Sequence, residues 1–201
     1  MLFALLAATV SSTTIVTPPN DPLYSGAAPQ GGQWNLMGTV DPSHPSSGVR
    51  GIDAEGAWAI SAGRSDVLIA VLDSGVDVTH EDLADNIAIN YVEATAAGLV
   101  DYDGDGVITL AEAAMIVTDL DGDGRITPED VRLYCENGID DDGDGYVDDI
   151  IGWDFQDNDN DPMDEYGHGT GRAGIAAAVA DDGVGLAGVC PGCIEGGMGF
   201  L

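Results

Sequence analysis

The spacing of apolar and polar positions predicts two strong elements and several short ones. Val67 to Leu72 is an unbroken apolar run rich in β-branched residues. A run without alternation suits a strand buried on both faces, as in a parallel sheet. Asp73, Ser74 and Gly75 follow it. Open α/β sheets place their chemistry just past the carboxyl ends of their strands, although Asp and Gly also make ordinary strand-end turns. Tyr166–Ala178 reads as a helix with His168 in its first turn and small residues for close packing. Ile52–Ile60 is a short helix candidate with Asp53 as its N-cap. Ala94–Val100 suits one helical turn or two, and Leu110–Val117 and Pro128–Tyr134 suit short helices. Residues 17–51, rich in Pro, Gly and Ser, read as an arm laid over a body.

Charge changes this picture most. The chain has 36 acidic residues against five basic ones, a formal charge of −31 over 201 residues. That imbalance fits a solvated acidic protein, disorder or cation binding. A hydrophobic content of 44% argues against disorder of the whole chain, and phosphate repulsion argues against a nucleic-acid partner. Residues 101–165 hold well over half of the acidic residues. No stretch after the first residues is long and apolar enough to span a membrane. Residues 1–16, with the apolar run Leu2–Val10, read as a signal peptide, and hence as secretion. Cys190-Pro191-Gly192-Cys193 suits a local disulfide or two packed thiols, which leaves Cys135 over.

The acidic segment has calcium spacing. In Asp101–Glu112, carboxylates fall at positions 1, 3 and 5 (Asp101, Asp103, Asp105). Gly106 supplies the turn at 6, Val107 its carbonyl at 7, and Glu112 a bidentate carboxylate at 12. The loop from Asp119 repeats this with Asp121, Asp123, the Arg125 carbonyl and Asp130. A Ca²⁺ ion wants six to eight oxygens around one point, and this spacing wraps them. Asp at position 12 is shorter than Glu, so the second site is weaker or completed by water. Ile108 and Ile126 are placed to pair across a short β-bridge between the loops. The tight repeat resembles dockerin-like loop-helix units. Asp140, Asp142 and Asp144 begin a third loop, with Asp148 or Asp149 to close it; a metal-free Asp/Gly hairpin is the alternative.

Two stretches together resemble the subtilisin-like serine proteases. The family's Asp strand reads "VAVxDTGVDxxHPDL", and residues 69–83 read "IAVLDSGVDVTHEDL". Its His helix reads "GHGTHVAGI", and residues 167–175 read "GHGTGRAGI". The resemblance implies that Asp73 orients His168 and that His168 is the general base for a serine. No serine follows His168 in this chain, so the reading is the front part of a catalytic domain, inactive as given. Gly171-Arg172 stands where the family usually has His-Val.

The resemblance extends to the thermitase-like branch through "PNDPLY" from Pro19, "QWNL" from Gln33 and "NGIDDDGDGYVDDIIGWDF" from Asn137. It implies two further calcium sites. One uses Asp154, Asp157, Asp159 and Asp161, with the Met163 carbonyl. The other uses Asp21, Asp82 and Asp182, with carbonyls of Val179, Val184 and Leu186. The implied fold is α/β: the front part of a doubly wound, mainly parallel sheet with an inserted calcium-binding loop-helix module. The divisions are 17–92 (arm and Asp strand), 93–136 (inserted module), 137–193 (calcium loops and His helix) and 194–201, where the text diverges. Gly-rich residues 194–201 make a poor central strand, and the ending reads as a truncation or an altered frame. The implied function is a secreted, calcium-stabilised endopeptidase acting on polypeptides. The competing class is a calcium-binding protein without catalysis.

Overall fold

The computed structural model describes residues 15, 18–24, 32–38, 48 and 50–199. The apolar run Leu2–Val10, expected to be the core of a signal peptide, lies outside the described residues. The elements are α1 (Ala54–Trp58), β1 (Leu68–Asp73), a 3₁₀ turn at Ala84–Asn86, α2 (Tyr91–Ala96), α3 (Leu110–Ala113), α4 (Pro128–Cys135), β2 (Gly152–Asp154), α5 (His168–Ala177) and β3 (Ile194–Gly199). The class is α/β. The strands form one parallel sheet in the order β1-β3-β2.

The apolar run does become a strand, but it is not buried on both faces. Ile69 and Val71 point into the core, whereas Leu68 and Leu72 are each 61% exposed. The reason is layering: α5 packs against β1, and among the described residues only the Ile69/Val71 face is covered. Period-two side-chain geometry then buries alternate residues only.

The Gly-rich end overturns a second expectation. Residues 194–199 form the middle strand, with Leu68 opposite Ile194, Asp73 opposite Gly199 and Trp153 opposite Met198. A ladder is made by backbone N–H and C=O groups, which glycine carries like any residue. The absence of side chains weakens a strand without forbidding it.

The larger of two hydrophobic clusters among the described residues draws on elements from β1 to α5. Val71 of β1, Val76, Val78, Leu83, Ala94 of α2, Ile108, Val117, Val131 of α4, Ile150 and Ala173 of α5 all belong to it. It is continuous across the divisions at 92/93 and 136/137. Ile108 is buried in it and Ile126 packs against it; neither lies in a strand or bridge, so the two loops share a core instead of the expected β-bridge. α3 is shorter than expected because the Met115 and Ile116 amides bond three residues back, to Glu112 and Ala113, a tighter turn that ends the α-helix.

A second cluster joins the arm to the body through Tyr24, Leu36, Trp58 and Ala187. The Leu23 amide donates to the Gly185 carbonyl at 2.9 Å, and the Gln33 side chain exchanges two 2.8 Å bonds with the Ala187 backbone. Asp53 does precede α1, but in left-handed conformation and without a side-chain cap bond. Cys190 and Cys193 form a disulfide, and Cys135 is a buried free thiol.

Because Ile108 is buried in the shared core, Ile108→Ala should destabilise the whole chain by about 2–5 kcal/mol. Denaturant unfolding followed by both near- and far-ultraviolet circular dichroism should show a single earlier transition. An earlier transition for the acidic segment alone would contradict a shared core.

Candidate active site and acidic loops

β1 ends at Asp73, and α5 begins at His168 beside it. His168 Nδ1 lies 2.6 Å from Asp73 Oδ1. The same oxygen accepts the Ser74 amide at 2.8 Å. The bond to His168, then the Ser74 N–H, holds the Asp73 carboxyl below the usual carboxylate range. A carboxylate on Nδ1 fixes the ring orientation and leaves Nε2 free to accept a proton. The His168 side chain is 57% exposed, and its outer nitrogen Nε2 lies 3.2 Å from Arg172 Nη2.

What holds these elements together is Asp164, which the sequence reading missed. Its Oδ1 accepts from Ser74 Oγ at 2.8 Å and from the Tyr166 and Gly167 amides at 2.9 and 2.8 Å. Its Oδ2 accepts from the Thr170 amide at 2.8 Å and from Thr170 Oγ1 at 2.6 Å. Ser74 Oγ accepts in turn from the Gly169 amide at 3.0 Å. One carboxylate therefore ties the end of β1 to the first turn of α5. Burial alone would raise Asp164, but the Thr170 hydroxyl and the amides of Thr170, Tyr166 and Gly167 overcome it and hold the group at about 2. Its sequence signal is an Asp four residues before the helix start, where a side chain can satisfy free amides. The approach is close: a Cβ at Gly169 would lie 2.0 Å from the Gly75 carbonyl oxygen, so only glycine fits there.

The first two acidic loops repeat one design. In each, the first Asp accepts amides at positions 4 and 6: Gly104 and Gly106 for Asp101, Gly122 and Gly124 for Asp119. Glu112 accepts the Tyr102 and Thr109 amides, and Asp130 the Leu120 and Thr127 amides. The closing residue thus caps its helix and ties back the start of its own loop. Asp105 and Asp123 accept the Val107 and Arg125 amides.

Ligand atoms converge in the groups Asp101/Asp103/Glu112, Asp119/Asp121/Asp130 and Asp140/Asp142/Asp144. Asp148 lies at the back of the third loop, buried, accepting the Asn137 and Gly138 amides. Asp149 instead converges with Asp142 and with Glu93 of α2, a buried carboxylate that the sequence reading did not single out. Burial and then the charge of Asp144 push Asp149 up to about 7. Tyr146 packs on Trp153 and Phe155, which seats this loop against β2.

Asp154, Asp157, Asp159 and Asp161 form no comparable group among the described residues. Asp154 accepts the Gln156 and Asp157 amides, and Asp159 the Asp161 amide.

Asp21, Asp82 and Asp182 lie near enough to influence one another, between the arm, the segment after β1 and the turn at residues 181–186, but they do not converge as the three loop groups do. Asp21 is 0% exposed and accepts the Asp181 amide on both oxygens, at 3.1 and 3.0 Å. Asp82 is 3% exposed; its Oδ2 accepts the Leu186 amide at 3.0 Å, while its Oδ1 is buried without a partner. Burial raises the Asp82 carboxyl against that amide, and the charges of Asp182 and Asp21 push it further up. A buried orphan carboxylate oxygen among other hard oxygens is a donor set that fits a cation.

A strand-end Asp on the Nδ1 of a helix-start His has the geometry of the Asp–His half of a serine-protease triad. The chain belongs to the subtilase family: the Peptidase S8 family model matches residues 64–195. It is 34% identical to subtilisin-like protease 1 of Plasmodium vivax over 131 residues, 65% of this chain and 15% of that protein. It is 58% identical to thermitase of Thermoactinomyces vulgaris over 42 residues, 21% of this chain and 15% of that protein. It is 35% identical to the halolysin-like extracellular serine protease Nep of Natrialba magadii over 88 residues, 43% of this chain and 12% of that protein. The chain thus spans 12% to 15% of the length of these relatives.

The Asp164 network makes a signed prediction. A group held at about 2 against an ordinary 3.8 contributes stability that is present above the ordinary value and lost as pH falls through the lower one. Asp164→Asn should cost about 2 kcal/mol at neutral pH. The gap between wild type and variant should close between about pH 4 and about pH 2. Thermal melts of both proteins across that range check it, and a gap independent of pH would reject it.

Proposed function

We propose that the chain is the Asp- and His-bearing part of a secreted, calcium-binding subtilisin-type serine endopeptidase. The 2.6 Å contact between His168 Nδ1 and Asp73 Oδ1 carries this reading. In the complete machinery His168 Nε2 takes the proton of a serine hydroxyl as its oxygen attacks a peptide carbonyl, and Asp73 steadies the imidazolium that forms. The 201 residues contain no serine after His168. By themselves they orient a base without supplying its nucleophile. The family match spans both sides of the acidic insert, which favours the peptidase over a free-standing calcium-binding protein. Secretion is supported by the extracellular designation of the Natrialba magadii relative. No described helix is long and apolar enough to cross a membrane.

The wider architecture is part of the same reading: a doubly wound, mainly parallel sheet of which β1, β3 and β2 are the front part. Residues 93–136 form an EF-hand-like or dockerin-like insert. Its calcium ligands are Asp101, Asp103, Asp105, Val107 and Glu112 in one loop, and Asp119, Asp121, Asp123, Arg125 and Asp130 in the next. The third loop contributes Asp140, Asp142 and Asp144. The site of Asp21, Asp82 and Asp182 is supported by the unpartnered Asp82 oxygen. The loop of Asp154, Asp157, Asp159 and Asp161 rests on resemblance alone. When bound, calcium supplies positive charge that offsets carboxylate repulsion; the residues of this chain shape the loops and hold the arm, the turn at 181–186 and the insert in register.

One set of measurements tests both halves. The purified 201-residue chain should take up no fluorophosphonate label. A product extended through a serine-bearing segment should hydrolyse casein and lose that activity by about 10⁴-fold or more in His168→Ala. Calorimetry should show at least two calcium ions bound, with two lost in the double variant Asp103→Ala, Asp121→Ala. Calcium should raise the melting temperature of the chain, with magnesium a poor substitute. Stoichiometric labelling of the short chain, or a melt indifferent to calcium and chelator, would contradict the reading.

A further inference from the structure

Arg172 lies one helical turn beyond His168 on α5, at the spacing where side chains on a helix meet. Its Nη2 is 3.2 Å from His168 Nε2. The other ring nitrogen is the one held 2.6 Å from Asp73 Oδ1. A guanidinium can only donate, and an ionised carboxylate can only accept. Nδ1 therefore carries the proton, and the lone pair of Nε2 accepts from Arg172. Both contacts select the same neutral tautomer. Arg64 and Arg132 are paired with carboxylates, whereas the hydrogen bond of Arg172 goes to the imidazole of the base.

Resting on the assignment of Asp73 and His168 as an orienting acid and base, we propose that Arg172 is a positioning residue that masks the accepting nitrogen of His168. It holds the ring in the tautomer that base catalysis needs. It also occupies the lone pair to which a serine hydroxyl would donate. Once Nε2 takes that proton it becomes an N–H donor and can no longer accept from the guanidinium, so the contact must break. The ring's new positive charge then stands beside a fixed one, at a separation where like charges repel. For His168 to act, Arg172 has to swing into solvent, which its exposed position allows. A residue that can only donate, placed at Nε2, sets a threshold that a non-polar side chain at position 172 would not.

The test needs no proteolysis. Diethyl pyrocarbonate acylates an unprotonated imidazole nitrogen and releases ethanol and carbon dioxide. His80 is exposed, uses its Nδ1 to accept the Asp82 amide, and serves as an internal reference. Peptide mass mapping gives the ratio of the His168 to the His80 rate in wild type, Arg172→Met and Arg172→Lys. The Met variant keeps the bulk without the donor, and the Lys variant keeps a donor. The ratio should rise about tenfold in Arg172→Met, the weight of one hydrogen bond from a charged donor, and less in Arg172→Lys. Nitrogen-15 spectra should show His168 Nε2 moving in Arg172→Met to the position of an imine nitrogen with no donor. Equal ratios in the three proteins, or an unmoved Nε2 resonance, would overturn the masking. The dyad is read separately, from the proton on Nδ1. If it is seen in wild type and lost in Asp73→Asn while the ratios stay equal, masking fails and the Asp–His reading stands. If it is missing in wild type, the Asp–His reading itself fails.

Discussion

Everything at the junction of strand and helix depends on the carboxylate of Asp164. Five donors reach it: the Ser74 hydroxyl, the Thr170 hydroxyl and the amides of Tyr166, Gly167 and Thr170. The amides at the start of α5 have no partners within the helix, so a half-buried anion there satisfies them and meets the positive end of the helix. Because Ser74 is the residue after Asp73, the same anion fixes the strand end. The distance from Asp73 to His168 follows from this tie and from the close approach of Gly169 to the Gly75 carbonyl. The Asp73–His168 pair is thus placed by neighbours that do not touch the outer nitrogen of the ring.

The acidic loops use the same device many times over. An Asp side chain turns back to satisfy amides that a tight loop leaves open, as Asp101, Asp119 and Asp140 each do. Such bonds shape a loop but bring further carboxylates together. With 36 acidic residues against five basic ones, arginines cannot offset this crowding throughout. A hard cation would. The need is greatest at Asp82, where a buried carboxylate oxygen has no protein donor to satisfy it.

Much of this was legible in the residues. The run Val67–Leu72 and the small residues around His168 gave β1 and α5, and the two motifs together pointed to the Asp73–His168 contact. Calcium spacing located three groups of converging carboxylates. What stayed hidden depends on partners distant in sequence. The exposed face of Leu68 and Leu72 follows from a strand covered on one side only, which no local pattern encodes. β3 is held as a middle strand by backbone pairing, to which apolar spacing is blind. Asp164 and Glu93 look like surface acids until the chain folds around them, and Arg172 looks like a solvated helix residue until His168 is placed beside it.

The central claim is that the Asp164 tie positions His168 on Asp73. Its most direct test is the His168 Nδ1 proton in the nuclear magnetic resonance spectrum of Asp164→Asn, recorded where that variant is still folded. The account predicts that the strongly deshielded signal of a proton held at 2.6 Å between nitrogen and carboxylate is present in wild type and broadened or lost in the variant. An unchanged signal would show that Asp73 and His168 find each other without Asp164, and would contradict the account.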